Sequence, residues 1–226
     1  MNSKQAAHIL ITRINLRQPN PEWFAERLPL FQRYCLASVQ AQHIKPTAWL
    51  LAIDKRTPIP YRKVILQDVP ATPLFTRHET FVADVRRWIR SNISTPWIIT
   101  TRLDSDDALH PLFLSDMQAA SRPKRELLSL PHGWATYMGN YYNWKWHSAF
   151  VSLVEQNNDR AATVQKGAHD KLQFRYPYRV LGKQRRWLYV MHDSNLSGAA
   201  KIRQITKKGI RVPHAVVANA MKGVAV

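Results

Sequence analysis

Short apolar runs alternate with helix-spaced stretches through the first half of this chain. His8–Ile14 is rich in Ile and alternates loosely, which predicts a first strand. Gln18-Pro19-Asn20-Pro21 predicts a turn, with Asn20 capping a helix and Pro21 at its first position, where proline's fixed φ and missing N–H are tolerated. Pro29 predicts a break, so a short helix to about Arg27 is followed by a longer one from Pro29 to Gln42, where Phe31, Tyr34, Cys35 and Val39 recur at helical spacing. Thr47–Ile53 is a continuous apolar run, as a buried parallel strand requires, and it ends at Asp54. Tyr61–Leu66 predicts another strand, followed by a proline-bearing loop. Phe81, Val85, Trp88 and Ile89 predict a helix over Thr80–Asn92, and Trp97-Ile98-Ile99 opens the next strand. The order β-α-β-β-α-β predicts an α/β fold built on a mostly parallel central sheet flanked by helices.

The second half changes character. Glu126–Pro131, Trp134–Met138 and Tyr141–Trp146 are short, aromatic and broken by Gly or Asn, which predicts meandering strands or a hairpin. Ala168–Leu172 could open a helix, and Trp187–Met191 predicts a last strand ending at His192-Asp193. The tail after Ser197 is basic, then small and apolar, and is expected to pack loosely.

Candidate chemistry concentrates where the run opened by Trp97-Ile98-Ile99 ends. Thr100-Thr101-Arg102-Leu103 leads into Asp104-Ser105-Asp106-Asp107. A strand that ends in carboxylates delivers them to the edge where open α/β sheets bind ligands. Two readings stay open. The acids could cap a helix beginning at Asp107. Alternatively, their mutual repulsion could be relieved by a hard divalent cation, Mg²⁺ or Mn²⁺, with diphosphate as its natural companion.

Composition narrows the classes. The chain has 226 residues and 45% hydrophobic content, enough for one domain with a real core. A single cysteine, Cys35, leaves no intramolecular disulfide and suits a reducing compartment. The formal net charge of +18 calls for an anionic partner: nucleic acid, anionic lipid, or a phosphate-bearing or acidic saccharide substrate. No signal-peptide pattern opens the chain, and no run approaches the roughly 18 apolar residues of a membrane span. The expectation is a cytoplasmic protein, possible at the inner membrane face only as a peripheral one.

Four ordered elements carry a resemblance: His8-Ile-Leu-Ile-Thr-Arg-Ile-Asn15, Trp49-Leu-Leu-Ala-Ile-Asp54 with Thr57-Pro58, Thr100–Asp107, and Trp187-Leu-Tyr-Val-Met-His-Asp-Ser-Asn-Leu-Ser197. Together they resemble the rhamnosyltransferase family, which is similar to the GT-A glycosyltransferases with their Rossmann-like half. The resemblance implies one GT-A-like domain over 1–197, with a nucleotide-sugar half (1–110), a smaller aromatic-rich acceptor half (111–197) and a basic tail (198–226). It implies that Asp104 and Asp106 hold the metal and the sugar diphosphate, and that Asp107 serves ribose or donor sugar. It also implies donor contacts from Thr12, Arg13, Asn15, Asp54 and Arg102, and a metal shell closed by His192. His169-Asp170 stands where inverting relatives carry an acidic pair, which leaves Asp170 as the implied general base. The implied activity is metal-dependent transfer of a sugar from a UDP- or dTDP-sugar to a saccharide or other hydroxyl acceptor, with inversion. The aromatic segment Trp134–Trp146 would form an acceptor wall, and the basic tail could meet anionic membrane lipid. The competing reading is a metal-dependent nuclease or a basic nucleic-acid-binding protein, in which carboxylates hold metal and the positive surface grips phosphates.

Overall fold

A computed structural model of the protein describes residues 6–18, 20–147, 150–165, 169–192 and 198–224, without the side chains of 169, 170 and 198–201. The first half repeats strand and helix strictly. The strands β1 (Ala6–Arg13), β2 (Ala48–Asp54), β3 (Thr72–Thr76) and β4 (Trp97–Asp104) are parallel to one another. Between β1 and β2 run α1 (Pro21–Leu30), a π-helical stretch (Phe31–Leu36) and α2 (Ala37–Gln40). α3 (Ile59–Leu66) joins β2 to β3, and α4 (Phe81–Asn92) joins β3 to β4.

Two expectations are corrected here. Tyr61–Leu66 is the helix α3, and the strand lies in the segment expected to be a loop, Thr72–Thr76. Parallel neighbours need a crossover, and a helix supplies one. Pro60 falls in the first turn of α3, where proline is tolerated, and Ile65 is buried while Tyr61 stacks on Phe24 of α1 at 4.5 Å between ring centroids. Pro29 does not end its helix. The chain widens into the π-helical stretch, where Phe31, Tyr34 and Cys35 are buried and hold it against the sheet.

After β4 the chain changes sheets. β5 (Ala108–Leu109) belongs to a second sheet, and α5 (Phe113–Ala120) follows. Then come β6 (Glu126–Ser129), β7 (His132–Tyr137), β8 (Asn140–Lys145), β9 (Val151–Gln156), a 3₁₀ turn (His169–Phe174), β10 (Tyr178–Val180) and β11 (Arg185–Val190). The central sheet has seven strands in the order β10-β6-β9-β4-β1-β2-β3, with β9 antiparallel to β4 and β6. The smaller sheet has five, with β12 (Ile210–Val212) completing the order β12-β8-β7-β11-β5. Trp187 of β11 is fully buried, stacks on Phe150 at 4.6 Å and donates its Nε1–H to the Leu130 carbonyl at 2.7 Å. Gly133 lies under that ring, where an added Cβ would come within 2.2 Å of it.

The segment after 197 is a third correction. α6 (Gly198–Lys208), β12 and α7 (His214–Ala220) are integral to the fold. β12 adds an antiparallel strand to β8, and Ile205, Val217, Met221 and Val224 are buried. The loose-tail expectation fails because Val217, Met221 and Val224 pack on one face of the small sheet and Ile205 on the other.

Candidate functional site

The central sheet reverses its winding between β1 and β4. β2 and β3 extend to one side of β1, and β4 returns on the other. Ligands of open α/β sheets bind at the carboxyl ends of strands at such a switch point. Here the two strand ends are Arg13 and Asp104, which face each other in register. The acidic loop 105–107 is also the chain's passage from the seven-stranded sheet to the five-stranded one. A cleft of about 390 Å³ opens at this junction. It is lined by Arg13, Arg17, Arg27, Arg102, Asp104, Asp106 and Asp107, with Trp23, His78, Trp146 and Tyr189 on its walls.

The capping alternative for the acids does not hold. The residues after Asp107 form β5, and the next helix starts at Phe113 behind Leu112. Each acid instead has its own partners. Asp104 takes a two-pronged contact from Arg102, Nε at 3.0 Å and Nη2 at 2.9 Å, and Arg13 Nη2 lies 3.5 Å away. Asp106 Oδ2 accepts from Arg27 Nη1 at 2.6 Å and lies 2.9 Å from His192 Nε2. Arg27 Nη1 also touches His192 Nε2. The imidazole nitrogen can donate to Asp106 or accept from Arg27, not both. Asp106 Oδ2, Arg27 Nη1 and His192 Nε2 therefore crowd one point, and the Arg27 guanidinium is the positive group among them. Asp107 accepts the Val190 amide at 2.9 Å and pins β11 to the acidic loop. Burial, followed by the neighbouring charges of Asp106 and Asp104, holds the Asp107 carboxyl well above the usual carboxylate range.

The other sequence-derived residues divide. Arg13 and Arg102 line the cleft. Thr12 does not: it is fully buried, its Oγ1 accepts from Trp49 Nε1 at 3.0 Å, and it lies against Cys35. The alternation of a strand turns Thr12 inward where Arg13 turns to the cleft. Asn15 is at the rim, but its side chain ties loops together, donating to Thr57 Oγ1 at 2.8 Å and accepting from the Asp54 amide at 3.1 Å. Asp54 is fully buried outside the cleft lining. It accepts from Arg56 Nε at 2.9 Å, Arg56 Nη2 at 2.8 Å, and the amides of Arg56 and Arg17 at 2.9 and 3.3 Å. The hydrogen bonds from Arg56 lower its pKa to about 2. Arg17 itself sits in the left-handed region at φ 78°, a conformation a side chain adopts only when its surroundings impose it. Asp170 falls in the 3₁₀ turn, and its side chain lies outside the described residues.

Arg17, Trp23, Arg27, His78 and Tyr189 were not singled out from the sequence. Trp23 and Arg27 are one helical turn apart on α1, a spacing that could have paired them, although nothing in it pointed to this cleft. His78 follows β3, which was itself read as a loop. Burial and then the charges of Arg17 and Arg13 lower the pKa of His78. Of the aromatic segment expected as an acceptor wall, Trp134 is buried and only Trp146 reaches the cleft, edge-on to Tyr189 at 5.2 Å.

Among the described residues no group of three or more His, Cys, Asp and Glu side chains is arranged to hold a metal ion as it stands. Asp106 and His192 nevertheless fit one: a hard oxygen and an imidazole nitrogen converge, and a guanidinium already stands against both. Asp104 in its present pose is turned to Arg102.

Three solved structures are similar to this chain at low identity. In S. aureus TarS (residues 1–349) the matched region has 12% identity and a TM-score of 0.43, covering 81% of this chain and 60% of that one. This chain thus spans about 60% of the TarS fragment. The inositol-1-phosphate CTP transferase of T. maritima matches at 10% identity and a TM-score of 0.40, covering 88% and 95% of the two chains. A nucleoside-diphosphate-sugar pyrophosphorylase from Vibrio cholerae matches at 11% and 0.39, covering 88% and 100%. Likenesses this distant carry no functional argument. Among curated proteins no sequence matches. The family described as "Putative rhamnosyl transferase" matches residues 9–204, from the first strand through the cleft to α6, and the chain belongs to that family.

Proposed function

We propose that this protein is a glycosyltransferase of the GT-A kind, moving a sugar from a nucleoside-diphosphate sugar to a hydroxyl of a saccharide acceptor with inversion. Family membership supports the sugar-transfer class. The observation that carries the reading to this site is the convergence of Asp106, His192 and Arg27 in a cleft at the β1/β4 switch point.

Displacement at the anomeric carbon releases a nucleoside diphosphate, whose growing negative charge must be balanced. Arg13, Arg17, Arg27 and Arg102 line the cleft and would hold the diphosphate oxygens, since guanidinium forks match phosphate geometry. Asp106 and His192, with Asp104 beside them, would hold a divalent cation, Mn²⁺ or Mg²⁺. When bound, that ion supplies Lewis-acid neutralisation of the leaving group. Asp107, fixed in the cleft wall by the Val190 amide, would meet a ribose or sugar hydroxyl. Trp146 and Tyr189 offer a hydrophobic face to the acceptor ring. Asp170 is the proposed base that takes the acceptor proton. The nuclease alternative loses ground to the family match, although the basic surface would still attract polyanions.

The test is a thermal shift. UDP or dTDP with Mn²⁺ should raise the melting temperature, and Asp104→Ala and Asp106→Ala should each abolish the rise. Absence of any nucleotide effect, together with steeply salt-dependent DNA binding, would overturn the reading in favour of the nuclease. Asp170→Asn should keep donor binding and lose transfer; retained turnover clears Asp170 of the base role.

A further inference from the structure

We infer that the C-terminal module α6–β12–α7, with the β7–β8 hairpin tip, is a docking surface for an anionic lipid bilayer. No helix among the described residues is long and apolar enough to cross a membrane, so the contact is a surface one. The charge comes first. From residue 171 to the C-terminus there are twelve Lys and Arg and a single acid, Asp193. On α6, Arg203 and Lys207 are one turn apart and exposed, with Lys208 beside them, while Ile205 is fully buried on the opposite side. Among the described residues, no acid pairs with Arg203, Lys207, Lys208, Arg211 or Lys222. Unpaired cations on one helix face repel one another unless an anionic surface meets them.

Exposed apolar side chains border this positive helix, across the sheet edge and at the hairpin tip. Ile210 is 72% exposed on β12, which is the edge of the small sheet, and Val216 on α7 is 51% exposed. Arg211 reaches Asn140, and so places β12 against the hairpin tip. That tip is Met138-Gly139, a two-residue turn with φ of 47° and 73°. Asn or Asp is the favoured residue before Gly in such a turn. Here the position carries Met, 80% exposed and disfavoured by both backbone and water. A bilayer interface takes cations and aliphatic side chains together: the cations meet lipid phosphates and the aliphatics enter the acyl boundary.

The other occupants fit less well. A nucleic acid would use aromatic platforms, and residues 198–226 contain no Phe, Tyr or Trp. A second copy pairing through β12 would bring two cationic faces together.

Co-sedimentation of the full chain with vesicles tests this independently of catalysis. The protein should pellet with phosphatidylcholine vesicles containing phosphatidylglycerol, stay in solution with phosphatidylcholine alone, and release partly as salt rises. Lys207→Glu/Lys208→Glu should weaken binding by about tenfold or more, since each surface cation contributes roughly fivefold. Met138→Asn/Ile210→Ser should remove the salt-resistant remainder, and Arg90→Glu on α4 should change little. The inference is overturned if the double lysine variant binds as the parent does. It is equally overturned if the parent binds DNA as tightly as vesicles and Met138→Asn/Ile210→Ser leaves both unchanged, or if it forms a dimer that Ile210→Ser breaks and no vesicle binding is seen.

Discussion

β2 and β4 both end in aspartate on the same edge of the same sheet, and the two ends behave oppositely. Asp54 is sealed: one arginine two residues on and two backbone amides fill its acceptor positions, and none of it meets water. The acids at the end of β4 face a cleft, where Asp104 keeps a side chain 39% exposed and Asp106 shares its partners with His192. A strand end places a carboxylate; the following loop decides whether it is left with capacity for a ligand. After Asp54 the chain turns back tightly, the Thr57 amide bonding the Asp54 carbonyl, so Arg56 lands on the carboxylate. After Asp104 the chain leaves for the second sheet, and the acids stay at the junction between the two.

The largest expected contrast is in turnover. Asp106→Ala should lower transfer by on the order of a hundredfold or more, the usual scale for losing a group that balances leaving-group charge, while the folded state survives. Asp54→Asn should leave transfer nearly intact in the folded fraction. Equal losses in both would erase the distinction between the two strand ends. Stability should show the reverse order. Asp54→Asn leaves Arg56 and the loop amides with a weaker acceptor and should cost about 1–2 kcal/mol, or roughly 2–8 °C in melting temperature for a chain of this size.

The pH dependence follows from the sign of the shift. The folded-state pKa of Asp54 is lowered to about 2. Its contribution is therefore complete above the unfolded value near 4 and is lost as pH falls from there through about 2. Urea melts of the parent and of Asp54→Asn should converge across that window; parallel curves would show that the Arg56 contact contributes nothing. The smallest effect is expected on the acceptor side. Trp146→Ala should raise the acceptor KM several-fold through lost ring contact and leave donor binding unchanged; an unchanged acceptor KM would remove Trp146 from the acceptor site.

Much of this architecture was legible along the chain. The run Ala48–Ile53 was legible as a buried strand, because consecutive apolar residues without a polar outward face need cover on both sides. The helix Phe81–Asn92 followed from its apolar spacing, and the β4 acids followed from a strand ending in carboxylates. Local pattern failed where two structures fit one short apolar run. Tyr61–Leu66 reads equally as strand or helix, and the need for a crossover between parallel neighbours settled it. It failed again for Asp54 and Thr12, whose sequence positions match cleft residues but whose side chains are engaged by Arg56 and Trp49.

Periodicity, composition and neighbouring charge are local properties, so β1, β2 and β4 of the parallel half, the acidic strand end and the strongly basic C-terminal quarter could be read along the chain. Tertiary structure alone decided that Arg27 from α1 and His192 from beyond β11 meet at Asp106, across 79 and 86 residues of chain. It also decided that the last thirty or so residues complete a sheet. Both depend on which surfaces the folded chain brings together, and no window of sequence contains that information.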